Sequence, residues 1–452
     1  TRANVIDRVA DEMARRRDEL SGRIVKECGK PWREADGDVC EAIDFCRYYA
    51  RLAPRLFERR RLGRFIGEFD ELWHQPRGVA GVVSPWNFPI AICCGMTVAA
   101  LSTGNTVVLK PAEQSVSIAG VLAEIIWRSL DEAKADRRVL QFCPAPGETT
   151  GAAIVRDPRI SLLAFTGSKA VGLDIIKAAG ITPEAQPHVK RVVCEMGGKN
   201  AIVVDSTADL DEAVLGVRYS AFGYAGQKCS ACSRCIVVDE KGPDGPNARL
   251  FMQRLLASTR SLVVGDPVHG STDVGPVIDA EAAEKIESMI RLAREEGERT
   301  GGCDLVLGMD HVDLDGSSGT IPRRCVGPHI FDNVRPEHTL AREEVFGPVL
   351  AVMHARTYDE ALRIATDHPY KLTGAVFTRT PSHIELAKRR FRVGNLYINR
   401  GSTGALVGRM PFGGFGMSGV GSKAGGPEYL LQFVDPRSSC ENTMRRGFAP
   451  EL

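Results

Sequence analysis

The 452-residue sequence lacks a charge excess of either sign, with 58 Lys and Arg set against 57 Asp and Glu for a formal net charge of +1. That balance supplies neither the basic excess of a nucleic-acid-binding surface nor the one-signed field that suits a charged membrane. Long apolar runs are missing too. The longest mostly apolar stretch, residues 88–101, contains Gly95 and Thr97 and is too short to span a bilayer, so it predicts a buried helix. There is no fixed-period repeat, no paired-histidine motif among the 9 His, no Gly-x-Ser-x-Gly and no Cys–His signature. No Gly-x-Gly-x-x-Gly comes after a predicted strand, so the common dinucleotide fingerprint is absent. Cysteine is plentiful but unpaired in pattern: 13 residues, an odd number, are scattered through a long chain. This predicts reduced thiols and a cytoplasmic setting, or a mitochondrial matrix if the source is eukaryotic. The chain opens at Thr1 rather than Met, which leaves room upstream for a targeting peptide or a preceding domain.

A chain of this length predicts two or three domains. The first fifty residues carry apolar positions at helical spacing, such as Val5, Val9, Met13 and then Ile24, Val25, Cys28, and read as surface helices of the scaffold. From Gly78 onward, β-like runs at 79–83, 106–109, 139–142, 162–165 and 191–193 alternate with helical segments at 115–130 and 169–179. A second series has strands at 201–204, 349–353, 374–377 and 395–398 and a helix at 209–222. The alternation predicts an α/β chain with two parallel sheets. Residues 239–247 and 309–319 are rich in Gly, Asp and Pro and read as loops.

Cys229, Cys232 and Cys235 have a spacing that invites a metal reading, yet no fourth ligand lies nearby and Cys235 runs into the strand-like Ile236-Val237-Val238. No metal is expected. Cys229 differs from the others in coming after Gly226-Gln227-Lys228, where a turn and a cation suit an exposed, electropositive setting that lowers a thiol pKa. Its company sharpens the reading. Glu195-Met196-Gly197-Gly198-Lys199-Asn200, Pro85-Trp86-Asn87-Phe88-Pro89, Leu109-Lys110-Pro111-Ala112-Glu113 and Phe165-Thr166-Gly167-Ser168 each lie at the end of a predicted strand. Polar groups at the ends of parallel strands define a cleft.

With Glu344-Val345-Phe346-Gly347-Pro348 and Pro411-Phe412-Gly413-Gly414, these make six motifs in order over almost the whole chain, and they resemble the aldehyde dehydrogenase superfamily. The separation of 34 positions from Glu195 to Cys229 agrees with that resemblance. It implies Cys229 as nucleophile, attacking an aldehyde carbon to give a thiohemiacetal and then a thioester. It implies Glu195 as the base that activates water, and Asn87 with the Cys229 N–H as the oxyanion hole. NAD is the implied cofactor. Gly167 and Ser168 would meet its pyrophosphate, Lys110 and Glu113 its adenosine ribose, and Trp86, Glu344 and Phe346 the remainder of its site. A carboxylate at Glu113 should repel a 2′-phosphate, so NAD is favoured over NADP.

The segments 399–408 and 422–427, the latter Ser422-Lys423-Ala424-Gly425-Gly426-Pro427, are similar to the Δ1-pyrroline-5-carboxylate dehydrogenase branch. In that branch the positions matching Lys228, Ser230, Gly404 and Ala405 grip a substrate carboxylate, and those matching Phe88 and Phe412 flank the aliphatic chain. L-glutamate γ-semialdehyde is then the expected substrate. Another small aldehyde, a non-redox cysteine acyltransferase or hydrolase, and a binding or structural role are the alternatives. The resemblance further implies an NAD-binding domain over 1–60 and 75–197 and a catalytic domain over 198–415. It also implies a small oligomerisation flap of 61–74 and 433–452, and hence a homodimer or higher homo-oligomer. The first strands of the family's cofactor domain are missing from the amino end, so trimmed residues or a fusion partner upstream, such as a proline dehydrogenase domain, are expected.

Overall fold

The computed structural model describes residues 2–444, so the expected flap segment 445–452 lies outside the described residues. Two sheets organise the chain. The first has six strands in the order Gly419–Val420, Arg191–Glu195, Ile160–Thr166, Val79–Val83, Thr106–Lys110 and Leu140–Phe142. All its pairings are parallel except at the Gly419–Val420 edge. The second has seven strands, ordered Asp304–Gly308, His329–Asp332, Val349–Ala355, Cys232–Val238, Asn200–Val204, Thr373–Phe377 and Asn395–Ile398. Only its Asp304–Gly308 edge is antiparallel. A third, antiparallel sheet joins Arg60–Arg61, Glu68–Pro76 and Val434–Asn442.

The central strands are near-continuous Val, Ile, Leu and Ala runs, as strands covered on both faces require. Ile160–Thr166 is buried along six of its seven positions. The apolar stretch at 88–101 becomes the helix Ala91–Ser102, buried on nearly every side. It packs on Trp32–Leu56, which in turn packs on Arg2–Arg15.

The amino-terminal helices Arg2–Arg15 and Arg17–Cys28 keep a polar face in solvent and bury Val5, Val9, Met13, Ile24, Val25 and Cys28 on the other, while Trp32–Leu56 enters the core of the first unit. Two expectations change. The 309–319 segment holds the strand Val312–Leu314, paired with Arg323–Cys325, because its polar residues sit on a two-stranded ribbon with solvent on one side. The 239–247 loop is shorter than expected, since Pro246 opens the helix Pro246–Arg260 as a first-turn residue with no N–H to lose.

Candidate active site

Four polar groups meet at one edge of the first sheet because each lies at or just beyond the carboxyl end of a parallel strand. Asn87 comes after Val79–Val83, Lys110 closes Thr106–Lys110, Gly167 and Ser168 come after Ile160–Thr166, and Glu195 ends Arg191–Glu195. The chain then crosses to the second sheet through Met196-Gly197-Gly198-Lys199. Backbone approach is tight at this crossing, for a Cβ on Gly198 would stand 2.7 Å from the Cys229 carbonyl oxygen. Asn200 fixes the same loop, its Nδ2 donating to the carbonyls of Cys229 at 2.7 Å and Ala231 at 2.9 Å.

Cys229 is reached through an unusual turn. Tyr224, Ala225 and Gly226 have φ of 53°, 52° and 68°, and a Cβ on Gly226 would lie 2.3 Å from the Gly347 carbonyl oxygen. Gln227 anchors the loop beyond this turn, its Oε1 accepting the Ile278 N–H at 2.8 Å. Cys229 is thereby left half-buried on the shared wall of two cavities.

One cavity is lined by Glu195, Ser230, Phe88, Phe412, Gly404 and Ala405 together with Cys229. Glu195 is 8% exposed; its Oε1 has no hydrogen-bond partner and its Oε2 accepts from Gly414 N–H at 3.4 Å. Burial pushes this carboxyl up to about 8, opposed by the Gly414 N–H and by Lys423. The Gly404 and Ala405 N–H groups have no acceptor in the chain among the described residues. Their loop is pinned elsewhere, by Ser402 Oγ donating to the Ser230 carbonyl at 3.1 Å and by Arg400 donating to the Gly404 carbonyl at 3.1 Å.

The second cavity is lined by Trp86, Asn87, Gly167, Ser168, Glu344 and Phe346, again with Cys229. Ser168 caps Lys169–Ala179, its Oγ accepting the Val171 N–H at 3.4 Å, so the helix opens toward this cleft. Glycine is required here for space, since a Cβ on Gly167 would meet the Phe165 ring at 2.5 Å and one on Gly197 would meet Glu344 Oε2 at 2.1 Å. Glu344 accepts the Gly198 N–H at 2.8 Å, and Phe346 stands edge-on to Trp86 with centroids 5.6 Å apart. A helix amino end with first-turn N–H groups, glycine walls and a carboxylate fits a dinucleotide's pyrophosphate and ribose. Lys110 and Glu113 lie at the adjoining strand end, paired at 2.7 Å, with Glu113 also accepting the Gly147 N–H at 2.6 Å.

Two expectations for the nucleophile do not hold. Lys228 is not on the wall of the Glu195 cavity; its ammonium turns toward the helix Trp32–Leu56 and pairs with Glu34 at 2.7 Å, both groups being buried. The setting of Cys229 is accordingly not electropositive. Burial pushes its thiol up to about 12, with Glu344 and Glu195 adding to the rise and the N–H groups of Ser230 and Cys229 opposing it. A neutral resting thiol therefore needs a base to take its proton. Cys232 and Cys235 belong to the core strand Cys232–Val238 and are 1% and 0% exposed.

The structure also brings in residues that no sequence motif marks. Asn87 is held by two contacts, its Nδ2 donating to the Gln227 carbonyl at 3.1 Å and its own carbonyl accepting from Lys30 at 2.9 Å. Lys30 is wholly buried, pairs with Asp38 at 2.9 Å and lies 4.0 Å from the centre of the Phe88 ring. Glu41 and Phe45, from the same helix as Asp38, line the Glu195 cavity. Burial and the neighbouring Asp38 push the Glu41 carboxyl up to about 8. A signal is present in the sequence: positions 34, 38, 41 and 45 fall on one helical stripe, and three of them are acidic on a face that otherwise buries Ala35, Ala42 and Tyr49.

The chain and its fold are similar to those of known proteins. The chain is 44% identical over 441 residues to a 1-pyrroline-5-carboxylate dehydrogenase of Geobacillus thermodenitrificans, covering 97% of this chain and 81% of that one. A Thermus 1-pyrroline-5-carboxylate dehydrogenase solved with bound NAD superposes with a TM-score of 0.89 at 41% identity, over 98% of this chain and 81% of that one. Proline utilization A of Bdellovibrio bacteriovorus, solved after inactivation by N-propargylglycine, superposes with a TM-score of 0.90 at 47% identity; this chain is covered entirely but spans only 44% of that chain. The aldehyde dehydrogenase pattern itself matches residues 1–438. With its cysteine set between a carboxylate-bearing cavity and a dinucleotide-shaped cleft, this chain belongs to the aldehyde dehydrogenase family.

Proposed function

We propose that the protein oxidises L-glutamate γ-semialdehyde, the opened form of Δ1-pyrroline-5-carboxylate, to L-glutamate with NAD, as a step of proline catabolism. The observation that carries the proposal is the position of Cys229 between two cavities, one of which holds Glu195 and the other a glycine-walled helix end. The named relatives support the choice of substrate.

In this reading an aldehyde enters the Glu195 cavity and the Cys229 sulfur adds to its carbonyl carbon. Because the free thiol resists ionisation, proton loss accompanies attack, with Glu195 as the acceptor. The carbonyl oxygen gains charge and is met by the Asn87 amide, whose remaining N–H is free, and by the Cys229 N–H. NAD, held by Gly167, Ser168, Glu344 and Phe346, would supply the hydride acceptor, and loss of hydride from the adduct would leave a thioester on Cys229. Glu195, once it has passed the thiol's proton to solvent, takes a proton from water as the water attacks the thioester carbon; the C–S bond then breaks, the Cys229 sulfur regains a proton from Glu195, and L-glutamate departs.

The cavity wall matches both ends of an amino acid. Ser230 and the unengaged N–H groups of Gly404 and Ala405 suit the α-carboxylate, Phe88 and Phe412 flank the methylenes, and Glu41 offers a carboxylate to the α-ammonium. Lys228 supports this wall indirectly by fastening the nucleophile loop to Glu34. On the cofactor side, Glu113 disfavours a 2′-phosphate.

The six-stranded sheet apart from its Gly419–Val420 edge, together with its helices, residues 1–60 and 75–197, serves as the NAD-binding unit, 198–415 as the catalytic unit, and the three-stranded sheet as an oligomerisation flap. Homo-oligomer formation is supported by exposed apolar side chains: Phe65 and Ile66 at the hairpin tip are 68% and 93% exposed, and Ile181 and Val189 are 66% and 71% exposed. Among the described residues no helix is long and apolar enough to cross a membrane. Thirteen free thiols suit a reducing compartment such as the cytoplasm. The proposal is tested by NADH production from a panel of aldehydes. Activity on Δ1-pyrroline-5-carboxylate well above that on simple aliphatic aldehydes is expected, and activity on the latter alone would overturn the substrate.

A further inference from the structure

The segment Ser422-Lys423-Ala424-Gly425-Gly426-Pro427 stands out in the sequence, yet none of the reaction steps gives it a chemical role. Its half-buried Lys423 ammonium donates to three oxygens: the Gly394 carbonyl at 2.6 Å, Asn395 Oδ1 at 2.8 Å and the Gly413 carbonyl at 2.9 Å. The Gly413 carbonyl and the Gly414 N–H belong to one peptide unit, and that N–H donates to Glu195 Oε2 at 3.4 Å. A single planar amide therefore separates the ammonium from the carboxylate. A cation on an amide oxygen draws electron density through the unit and makes its N–H a stronger donor. The packing leaves no room for anything between them: a Cβ on Gly413 would stand 2.8 Å from Glu195 Oε1 and 3.3 Å from Lys423 Cα.

We propose that Lys423 is a positioning residue for the reaction, acting through the Gly413–Gly414 peptide to hold Glu195 and to keep its carboxylate ionisable in a site that otherwise favours the neutral acid. This rests on Glu195 being the base. The other titratable groups facing Glu195 supply no positive charge. They are Cys194 on its own strand, Cys229 and Glu41 on the same cavity wall and Tyr429 from the turn Tyr429–Phe433, and burial favours the neutral form of each. Lys423 is the one cation set against Glu195 among the described residues.

The experiment is the pH profile of kcat for NADH formation from Δ1-pyrroline-5-carboxylate in wild type, Lys423→Met, Lys423→Arg and Glu195→Gln. Loss of the charge should move the acid limb of the Met variant upward by about one unit, so that kcat falls about tenfold at neutral pH and recovers to within about threefold on the alkaline plateau. The Arg variant should restore the limb. An equal loss at every pH, with the limb unmoved, would overturn the proposal and leave Lys423 as a fastener of the 411–414 loop. Should the Met variant not fold, Lys423→Gln, which keeps a donor and loses the charge, carries the same comparison. Glu195→Gln separates the two levels: if it keeps turnover, Glu195 is not the base, whereas a dead Glu195→Gln with an unmoved Lys423→Met limb sinks only the role of Lys423.

Discussion

Replacing Glu41 by Gln probes whether the cavity reads an amino acid or only an aldehyde. Glu41 lies on the cavity wall, its carboxyl raised to about 8 by burial and by Asp38, with Lys30 opposing. A bound α-ammonium would supply the positive partner that this carboxyl otherwise lacks and would favour its ionised form. A hydrogen bond to a charged group contributes about 1.5–3 kcal/mol. At about 1.4 kcal/mol per tenfold, Glu41→Gln should lower kcat/KM for glutamate semialdehyde by about 10- to 150-fold. The same aldehyde without its amino group, 5-oxopentanoate, should lose less than about threefold, because no charge is offered to position 41. Steady-state NADH assays on both aldehydes, with wild type in parallel, give the two ratios. Equal losses on both would refute the assignment and reduce Glu41 to a packing residue of the helix Trp32–Leu56.

The site makes four further outcomes testable. Turnover in wild type should rise with pH through about 8 and level off above it, since a base whose carboxyl is raised by burial works only once ionised. Lys228→Met should lower stability by about 3 kcal/mol in denaturant titrations, by stranding the buried Glu34, while leaving KM for carboxylate-bearing aldehydes nearly unchanged. A selective rise in that KM would instead put Lys228 at the substrate. Cys232→Ala should keep turnover and lose about 1 kcal/mol of stability as a core truncation, and equal inactivation with Cys229→Ala would contradict the separation of the two cysteines. Glu113→Gln should raise kcat/KM for NADP relative to NAD; an unchanged ratio would remove Glu113 from cofactor choice.

The strands are legible in the sequence because their physics is local: runs such as Ile202-Val203-Val204 are covered on both faces and announce themselves by composition. Motifs at strand ends are legible for the same reason, since a strand, a turn and a polar residue adjoin in sequence. Contacts between distant segments are not. Proximity to Cys229 points to Lys228 as a substrate residue, but the side chain of a neighbouring residue points elsewhere, here to Glu34 at a separation of 194 residues. The thiol's surroundings are hidden likewise, because desolvation is a property of the packed cavity and outweighs the charge next in sequence. Lys30, Asp38 and Glu41 escape a sequence reading because an amphipathic helix with a few acidic residues looks like a solvated surface element until its other face is also covered. The strand Glu68–Pro76 finds its partner Val434–Asn442 more than 350 residues away, a pairing no local pattern encodes.

The most direct test of the chemistry is to catch the thioester. Wild-type protein mixed with NAD and Δ1-pyrroline-5-carboxylate, quenched in acid within the first turnover and digested, should carry a glutamyl group on the peptide containing Cys229, formed together with NADH, whereas Glu195→Gln, with no base for the thiol proton, should form neither at a comparable rate. No adduct in the wild type, an adduct carried by Cys232 or another thiol, or its formation at an undiminished rate in Glu195→Gln would contradict a covalent cycle on Cys229 with Glu195 as its base.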